Sequence, residues 1–192
     1  MLQINNIVAT YSCGTSFTPE DYLQLARGLP NAEYRPRQFH AIRMRVRISG
    51  HTATALLFRS GRIVMSGVGK TEKDATRVAR RVSRRIGFAL WRKCQVQGVC
   101  IRNVAGSAQL GHQLLPSKLL RSTPATHGQL HVGKASFDPE LFSAVRIPLR
   151  MDGGAKGAVA LCFRNGKLIL TGAKSVHELH EIFVNFVDFI SK

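Results

Sequence analysis

One stretch of the sequence carries residues of a phosphate-binding loop, and it is the first candidate for chemistry. Gly69, Lys70 and Thr71 form the Gly-Lys-Thr triplet that ends such a loop. The loop also needs a glycine five residues before the triplet, and Val64 stands there instead. About one hundred residues later the same place reads Gly-Ala-Lys-Ser (172–175). We therefore interpret this stretch as a strand end that leads into a helix cap.

The histidines, cysteines and carboxylates offer no second candidate. The seven histidines are scattered, and His177 and His180, at i and i+3, lack a glutamate-containing zinc motif. The four cysteines form no C-x-x-C pair, which argues against a zinc site or a disulfide framework and favours a reduced, intracellular setting. We expect them to be small apolar residues in strands and at helix ends. With no paired carboxylates and no Ser–His–Asp arrangement, the sequence predicts no enzyme, no metal and no cofactor.

Charge is the feature that points to a function. The chain has 28 Lys and Arg against 11 Asp and Glu, a formal net charge of +17. A folded protein this basic usually meets a polyanion, either nucleic acid or an anionic membrane surface. No apolar run of about 18 residues could span a bilayer. Residues 1–96 carry 17 basic and 5 acidic residues, against 11 and 6 in residues 97–192, and the excess lies largely on a predicted helix at 71–88, which is either a partner surface or a solvated face.

The segments that carry these charges occur twice. Residues 55–67 align with residues 160–172, and residues 39–43 align with residues 142–146. Two copies at a spacing of about one hundred residues indicate a duplicated domain rather than a solenoid. We place the first repeat at residues 1–93 and the second at residues 94–192.

Each repeat predicts a strand, a short helix, three period-two strands and a long helix. Thr18, followed by Pro19 and two acidic residues, marks the start of the first short helix. Ser-Gly and Asn-Gly pairs join the last two strands of each repeat as hairpin turns. The predicted strands are 4–11, 39–48, 54–58 and 63–66, then 95–107, 141–149, 159–163 and 168–171, and the long helices are 71–88 and 176–190. Two antiparallel half-sheets, each covered on one side by a long helix, make an α+β protein.

A sheet covered on one side has a second face, and the pattern alone does not say which face that is. Phe58 shares its face with Leu56, and Phe163 shares its face with Leu161. Either face could pack on the helices, so core strands in a plain sandwich remain an alternative. The charges favour an open apolar strip fringed by cations. Such a strip suits the minor groove of DNA, which offers few distinct donors and acceptors.

Several motifs then resemble the TATA-box-binding protein family over nearly the whole chain. They are Asn-Ala-Glu-Tyr (31–34), Leu-Phe-Arg-Ser-Gly-Arg (57–62), Asp-Pro-Glu-Leu-Phe (138–142) and Leu-Thr-Gly-Ala-Lys (170–174). The resemblance implies a two-repeat saddle, a curved antiparallel sheet of about ten strands with four helices on its convex face. It also implies a nuclear general transcription initiation factor that binds and bends A·T-rich promoter DNA in the minor groove and recruits transcription factors IIA and IIB.

The resemblance assigns roles to individual positions. The family's intercalating phenylalanines match Phe39, Phe58, Phe142 and Phe163. Its central asparagines, which hydrogen-bond adenine N3 and thymine O2, match Asn6 and Asn103, and its paired hydroxyls match Ser66 and Thr171. Its apolar floor matches Val8, Leu56, Val64, Ala105, Leu161 and Ile169. Its phosphate contacts match Arg45, Ser60, Arg62, Asn165, Lys167 and Lys174. Its acidic residues that contact transcription factor IIB match Asp138 and Glu140.

Some positions depart from the family pattern and leave a second hypothesis open. His40 and Ser143 replace a small residue and a proline, and Ala105 replaces a larger floor residue. Pro148 falls where a phosphate-binding arginine is expected, unless the register slips so that Arg150 takes over. The alternative is a paralogue that acts mainly as a protein-interaction adaptor with weak or altered DNA specificity. An apolar open face also allows a homodimer in the absence of DNA.

Overall fold

The computed structural model describes residues 1–48, 50–153 and 157–191. These residues form eleven strands and four helices, where about ten strands were expected. Contacts divide the chain into two units, residues 6–102 and residues 1–5 with 103–192. Each unit combines antiparallel strands with helices, so the predicted α+β class is confirmed. The repeat boundaries at 1–93 and 94–192 rest on the sequence alignment alone and remain a prediction.

The first unit contains five strands and two helices, and residues 3–5 of its first strand belong to the other unit. The elements are β1 (Gln3–Ser12), α1 (Pro19–Gly28), β2 (Ala32–Glu33), β3 (Ile42–Ile48), β4 (His51–Leu57), β5 (Arg62–Ser66) and α2 (Glu72–Leu90). The strands pair in the order β2-β3-β4-β5-β1. The long helix predicted at 71–88 is present as α2 and ends two residues later than expected.

The second unit repeats this plan with one more strand. Its elements are β6 (Gln97–Gln109), α3 (Pro116–Arg121), β7 (Ala125–His127), β8 (Leu130–Val132), β9 (Ala144–Met151), β10 (Ala158–Phe163), β11 (Lys167–Ala173) and α4 (Val176–Ser191). The strands pair in the order β6-β11-β10-β9-β8-β7, and residues 97–102 of β6 belong to the first unit. The short strands β2, β7 and β8 were not predicted, because two or three residues are too few to show a period.

The caps of the first two helices confirm the interpretation of the Gly-Lys-Thr triplet. Thr18 and Asp21 form a capping box at α1, and Thr71 and Asp74 form another at α2. The Asp74 carboxylate accepts from the backbone N–H groups of Lys70 at 3.2 Å and Thr71 at 3.0 Å. Several hydrogen bonds to the Asp74 carboxylate hold its pKa below the usual range, and the largest contribution is the bond from the Thr71 hydroxyl. A carboxylate therefore occupies the donors that a phosphate would need.

The core of each unit lies between its helices and one face of its strands. In β3, Met44 and Val46 are fully buried, whereas the intervening Arg45 is exposed. The predicted apolar stripe of α2, which includes Val78, Val82 and Ile86, is buried as well. In the second unit α4 buries Leu179, Ile182, Phe186 and Ile190. Burial of alternate residues on the helix side supplies most of the apolar stabilisation of each unit.

The Tyr22 hydroxyl joins α1 to two strands beneath it. It donates to the backbone carbonyl of Leu57 at 2.7 Å and accepts from the backbone N–H of Ile42 at 3.0 Å. The tyrosine is buried, so water cannot replace it at either backbone group. This side chain therefore fixes the helix over the β3–β4 pair.

Replacing this hydroxyl should lower the stability of the protein. We expect Tyr22→Phe to reduce the free energy of unfolding by about 1–3 kcal/mol, because two buried backbone groups lose their partner. Urea denaturation measures this change. Tyr34→Phe is the matched control. The Tyr34 ring packs edge-on against Tyr22 with centroids 5.2 Å apart, but its hydroxyl has no hydrogen-bond partner among the described residues. An equal loss in both variants would contradict the assignment.

The four cysteines are free thiols in different surroundings. Cys13 and Cys162 are buried, which agrees with the expectation of small apolar residues, but Cys100 is exposed and Cys94 is half-buried. Burial raises the pKa of Cys162 to about 12. A hydrogen bond from the Cys13 thiol, with smaller contributions from Ser83 and Arg92, lowers the pKa of Cys94 to about 7 against the opposing effect of burial. Of Cys94 and Cys162, Cys94 therefore has the larger fraction of thiolate at neutral pH.

This difference should be visible in alkylation. In a Cys100→Ser variant, which removes the exposed thiol, we expect iodoacetamide to modify Cys94 before Cys13 and Cys162. The rate should rise with pH through a midpoint of about 7, because the thiolate is the nucleophile and forms as pH passes the pKa. Peptide mass mapping over a pH series measures it. A midpoint near the ordinary thiol value of about 8.5 would contradict the perturbation.

Candidate nucleic-acid interface

Each unit has one sheet face that its helices leave uncovered. In the first unit, Leu56 pairs with Val64 and Val8 pairs with Ser66, and all four are only half-buried. Their strand neighbours on the other face, such as Leu57, are fully buried. In the second unit, the same uncovered face carries Ala105, Leu161, Ile169 and Thr171. We call these two surfaces the open faces. The residues of the predicted floor lie on them.

A pair of phenylalanines borders each open face. Phe39 and Phe58 contact edge-on with ring centroids 6.1 Å apart, and Phe142 and Phe163 do so at 5.9 Å. Phe39 is 48% exposed and Phe142 is 47% exposed, while the other two rings are half-buried. No ring of the four is sealed in the core or directed at the helices. Large apolar groups held at a surface in this way are a mark of an interaction site.

A hairpin turn positions the second ring of each pair, and a glycine makes it possible. Gly61 has φ +76°, and Gly166 has φ +81°. A Cβ at Gly61 would lie 1.8 Å from the carbonyl oxygen of Thr15, and one at Gly166 would lie 2.3 Å from that of His112. Only glycine fits both the left-handed backbone and this close approach. The repeated Phe-Arg-x-Gly motif is therefore the turn that presents the ring.

Ser60 and Asn165, the predicted phosphate contacts of these turns, are exposed. Each uses its side-chain oxygen locally, with Ser60 Oγ accepting from the N–H of Arg62 at 3.4 Å and Asn165 Oδ1 accepting from that of Lys167 at 3.1 Å. Equivalent positions of the two repeats thus make the same turn contact. The Asn165 amide nitrogen remains as a donor on the surface.

The first ring of each pair follows a turn outside the strands. The N–H of Phe39 donates to the carbonyl of Arg35 at 2.9 Å, and that of Phe142 donates to the carbonyl of Asp138 at 2.8 Å. Asp138 and Glu140 are exposed in this second turn, where Asp138 Oδ1 accepts from the N–H of Glu140. The predicted protein-binding acids are therefore also part of the turn that leads to Phe142.

The two predicted asparagines occupy matching positions. Asn6 Oδ1 accepts from the N–H of Gly67 at 2.9 Å, and Asn103 Oδ1 accepts from that of Gly172 at 2.8 Å. Asn103 also exchanges hydrogen bonds with the Thr171 hydroxyl at 3.1 and 3.2 Å. The carbonyl oxygen of each asparagine is bound to the backbone, and one amide N–H of Asn103 donates to Thr171, so the N–H groups left for a ligand are those of Asn6 and the second one of Asn103. Each site therefore presents a donor beside the apolar floor.

Cations surround the open faces, and the sequence interpretation found only some of them. The predicted Arg45, Arg62, Lys167 and Lys174 are all exposed. Arg43 and Arg47 lie on the same face of β3 as Arg45, and the three line a cavity of about 440 Å³ with Thr52. Arg146 and Arg150 lie on the open face of β9. The alternation of arginine with buried apolar residues is the signal that could have identified them.

The register answers the question about Pro148. Arg45 pairs with Thr54 in the first unit, and Pro148 pairs with Val159 in the second. The two pairs are equivalent positions of the repeats, so the register does not slip. Pro148 therefore replaces the cation, and Arg150 lies two residues further along the strand.

The rest of the described chain adds no other kind of site. Residues 1–48, 50–153 and 157–191 contain no group of three or more His, Cys, Asp or Glu side chains placed to hold a metal ion. His177 and His180 are exposed on α4, as expected. No helix in these ranges combines the length and apolar character needed to cross a membrane.

Comparison with known proteins gives one consistent result. The family model described as "Transcription factor TFIID (or TATA-binding protein, TBP)" matches residues 1–87 and 98–192. The TATA-box-binding protein of Dictyostelium discoideum is 34% identical over 188 residues, covering 98% of this chain and 82% of its own. That of Saccharomyces cerevisiae is 33% identical over 183 residues, covering 94% and 67%. That of Spodoptera frugiperda is 33% identical over 186 residues, covering 95% of this chain, which spans about half (53%) of that relative's length.

A solved structure shows the same fold. Methanococcus jannaschii TBP superposes with a TM-score of 0.70 at 24% sequence identity, covering 99% of this chain and 98% of that one. The structural likeness supports the fold, and the two sequence comparisons, which cover both repeats, establish the relationship. The predicted resemblance is confirmed. The chain belongs to the TATA-binding protein family of transcription factors, which is not a family of enzymes.

Proposed function

We propose that this protein is a general transcription initiation factor that binds A·T-rich promoter DNA in the minor groove and bends it. The observation that carries the proposal is the pair of surface phenylalanines at the border of each cation-fringed open face. A role in transcription places the protein in the nucleus. Bent DNA then serves as the platform on which transcription factors IIA and IIB assemble, with Asp138 and Glu140 as the contacts for IIB.

The phenylalanine pairs supply the bending. Each pair is already packed edge-on, so the rings need little rearrangement before they enter a base step. Unstacking a step costs a few kcal/mol, which the contact of the open face with the widened groove repays. Burial of the half-exposed floor, including Leu56 and Leu161, contributes to that repayment. Bending and apolar burial are therefore one event.

The asparagines limit which bases are accepted. A·T and T·A pairs present only acceptors in the minor groove, adenine N3 and thymine O2, whereas guanine adds an amino donor. The amide nitrogens of Asn6 and Asn103 are donors, and their carbonyl oxygens are occupied by Gly67 and Gly172. The site therefore favours A·T-rich sequences but does not separate A·T from T·A. Flexible pyrimidine–purine steps favour the kinks.

The cations orient the protein on the duplex. Arg45, Arg62, Lys167 and Lys174, with the polar turn residues Ser60 and Asn165, provide contacts to phosphates. Such contacts fix position without reading sequence.

One alternative has a specific observation in its favour. Helix α2 exposes Arg77, Arg80, Arg81 and Arg84 together with Phe88, which is 73% exposed, and Trp91 follows at 88%. An aromatic and basic surface on the helix side suits a protein partner, and Pro148 removes one cation from the DNA side. A paralogue acting mainly as an adaptor would use that surface. A gel shift that shows no preference for a TATA-containing over a scrambled duplex would favour it, as would a homodimer that DNA does not dissociate.

Removing a phenylalanine should reduce bending. We expect Phe58→Ala and Phe163→Ala each to lower strongly the DNA bend seen by energy transfer between dyes at the duplex ends, because each variant loses one wedge while the other pair remains. Phe88→Ala, which removes an exposed phenylalanine from α2, is the matched control and should bend DNA like the wild type. Circular dichroism checks that all three variants are folded. Unaltered bending by the Phe58 and Phe163 variants would reject this assignment.

Binding should weaken steeply as salt rises. Each phosphate that the protein neutralises releases counterions, so the slope of log K against log[salt] reports the number of contacts. We expect Arg62→Ala to reduce the magnitude of that slope by about one. Arg80→Ala on α2 changes the net charge equally and should leave the slope unchanged. A binding constant independent of salt would contradict the phosphate contacts.

A further inference from the structure

Two cysteines of the first unit meet although they stand far apart in the sequence. Cys13 follows the last residue of β1, and Cys94 lies in the segment between α2 and β6. The Cys13 thiol hydrogen-bonds to the sulfur of Cys94. Both residues belong to the unit that contains residues 6–102, so the contact lies inside one compact part of the chain. The fold thus pairs two thiols that no sequence motif had linked.

Contacts on either side of the two thiols hold their segments together. Ser83 Oγ on α2 lies 2.9 Å from the hydroxyl of Tyr11, two residues before the first cysteine. The same oxygen lies 3.4 Å from the backbone carbonyl oxygen of Gln95, directly after the second cysteine. A Cβ at Gly14 would lie 3.2 Å from Gln95 Oε1, so the two segments also approach closely on the other side. The sulfur atoms are therefore brought together by their neighbours.

The two thiols differ in their access to solvent and in their protonation. Cys13 is only 2% exposed, whereas Cys94 is half-buried and follows the exposed Arg92 and Lys93. An oxidant in solution therefore reaches Cys94 first. The hydrogen bond from Cys13, aided by Ser83 and Arg92, lowers the pKa of Cys94 and so favours the thiolate, which is the form that attacks a peroxide. The hydrogen bond to Cys94, together with burial, raises the pKa of Cys13 and keeps that thiol protonated.

We propose that Cys94 and Cys13 form a reversible, peroxide-responsive disulfide, in which Cys94 is oxidised first and Cys13 resolves it. The inference does not depend on DNA binding. In the first step the Cys94 thiolate attacks hydrogen peroxide, the O–O bond breaks, and a sulfenic acid and hydroxide form. In the second step the Cys13 sulfur attacks the Cys94 sulfur, and the S–O bond breaks. The Cys13 proton leaves with the hydroxyl group as water, so two thiols are oxidised and one peroxide is reduced.

The disulfide closes a loop that contains residues 14–93. A crosslink around a long loop restricts the unfolded chain more than one around a short loop, so it stabilises the folded form. One end of the link lies beside the turn that presents Phe58, because the N–H of Cys13 donates to the backbone carbonyl of Gly61 at 3.0 Å. Oxidation should therefore stabilise the first unit, including the base of this turn.

The test treats a Cys100→Ser variant with hydrogen peroxide and maps its peptides without reduction. Removing this exposed thiol prevents crosslinks between molecules through Cys100. We expect a peptide pair that joins Cys13 to Cys94, a loss of two hydrogen atoms from the intact mass, and reversal of both by dithiothreitol. The midpoint of thermal unfolding should be about 5–10 °C higher in the oxidised protein than in the reduced protein.

Two further substitutions in the Cys100→Ser background supply the controls. Without the resolving thiol, a Cys13→Ala chain should form no link, and its Cys94 should stop at the sulfenic acid, which dimedone labels. Cys162→Ala removes the other buried cysteine and is the matched control, so it should form the link as the parent does. Circular dichroism checks that both variants are folded.

Oxidation of Cys94 to the sulfinic acid while Cys13 stays reduced would overturn the inference. A disulfide that joins Cys94 of two molecules would do the same. Linked protein with an unchanged unfolding midpoint would overturn the stabilising role of the crosslink. The Cys100→Ser parent gives all of these readouts, so the test holds even when the Cys13→Ala chain fails to fold.

Discussion

The structure depends on a constraint that applies to any sheet with helices on one side: alternate side chains have different surroundings. In each unit the helices cover one set, which forms the core, and leave the other set only partly buried. Apolar area left in water forgoes roughly 25 cal/mol for each Å². Val8, Leu56 and Leu161 belong to that set, so a ligand that covers them gains the free energy of apolar burial that folding left unused. Under the proposed function, DNA would cover these side chains and so complete their burial.

Local hydrogen bonds hold the open faces in a form ready for a ligand. The asparagine carbonyls are bound to Gly67 and Gly172, the turn side chains are bound to the backbone N–H two residues further on, and each phenylalanine contacts its partner ring. Groups held in place before binding lose less conformational entropy when they bind. The same contacts occur at equivalent positions of both repeats, which indicates that they belong to the fold that the repeats share. Charges at equivalent positions differ between the repeats. Glu33 pairs with Arg43 in the first repeat, and Ser136 takes that place beside Arg146 in the second.

Much of the fold could be predicted because its signals are local. The helices α2 and α4 were located within two residues, since a stripe at helical spacing, a cap and a turn glycine are all readable from neighbouring positions. The strands β2, β7 and β8 were missed, because they exist only through their partners, as when Ala32 pairs with Met44. At the candidate site, motifs identified Phe58 and Phe163. Arg43 and Arg146 were missed although they alternate with apolar residues, because their place beside Leu56 and Leu161 depends on register with another strand.

The sequence alone determined the duplication, the caps, the glycine turns and the alternation along each strand, since each of these needs only residues a few positions apart. Which of the two alternate sets is buried was decided by tertiary structure. Leu56 and Leu57 are equally apolar, and nothing in a strand distinguishes its two sides until helices pack on one of them. The ion pair of Glu33 with Arg43 was decided in the same way, because it forms between side chains that strand pairing brings close in space.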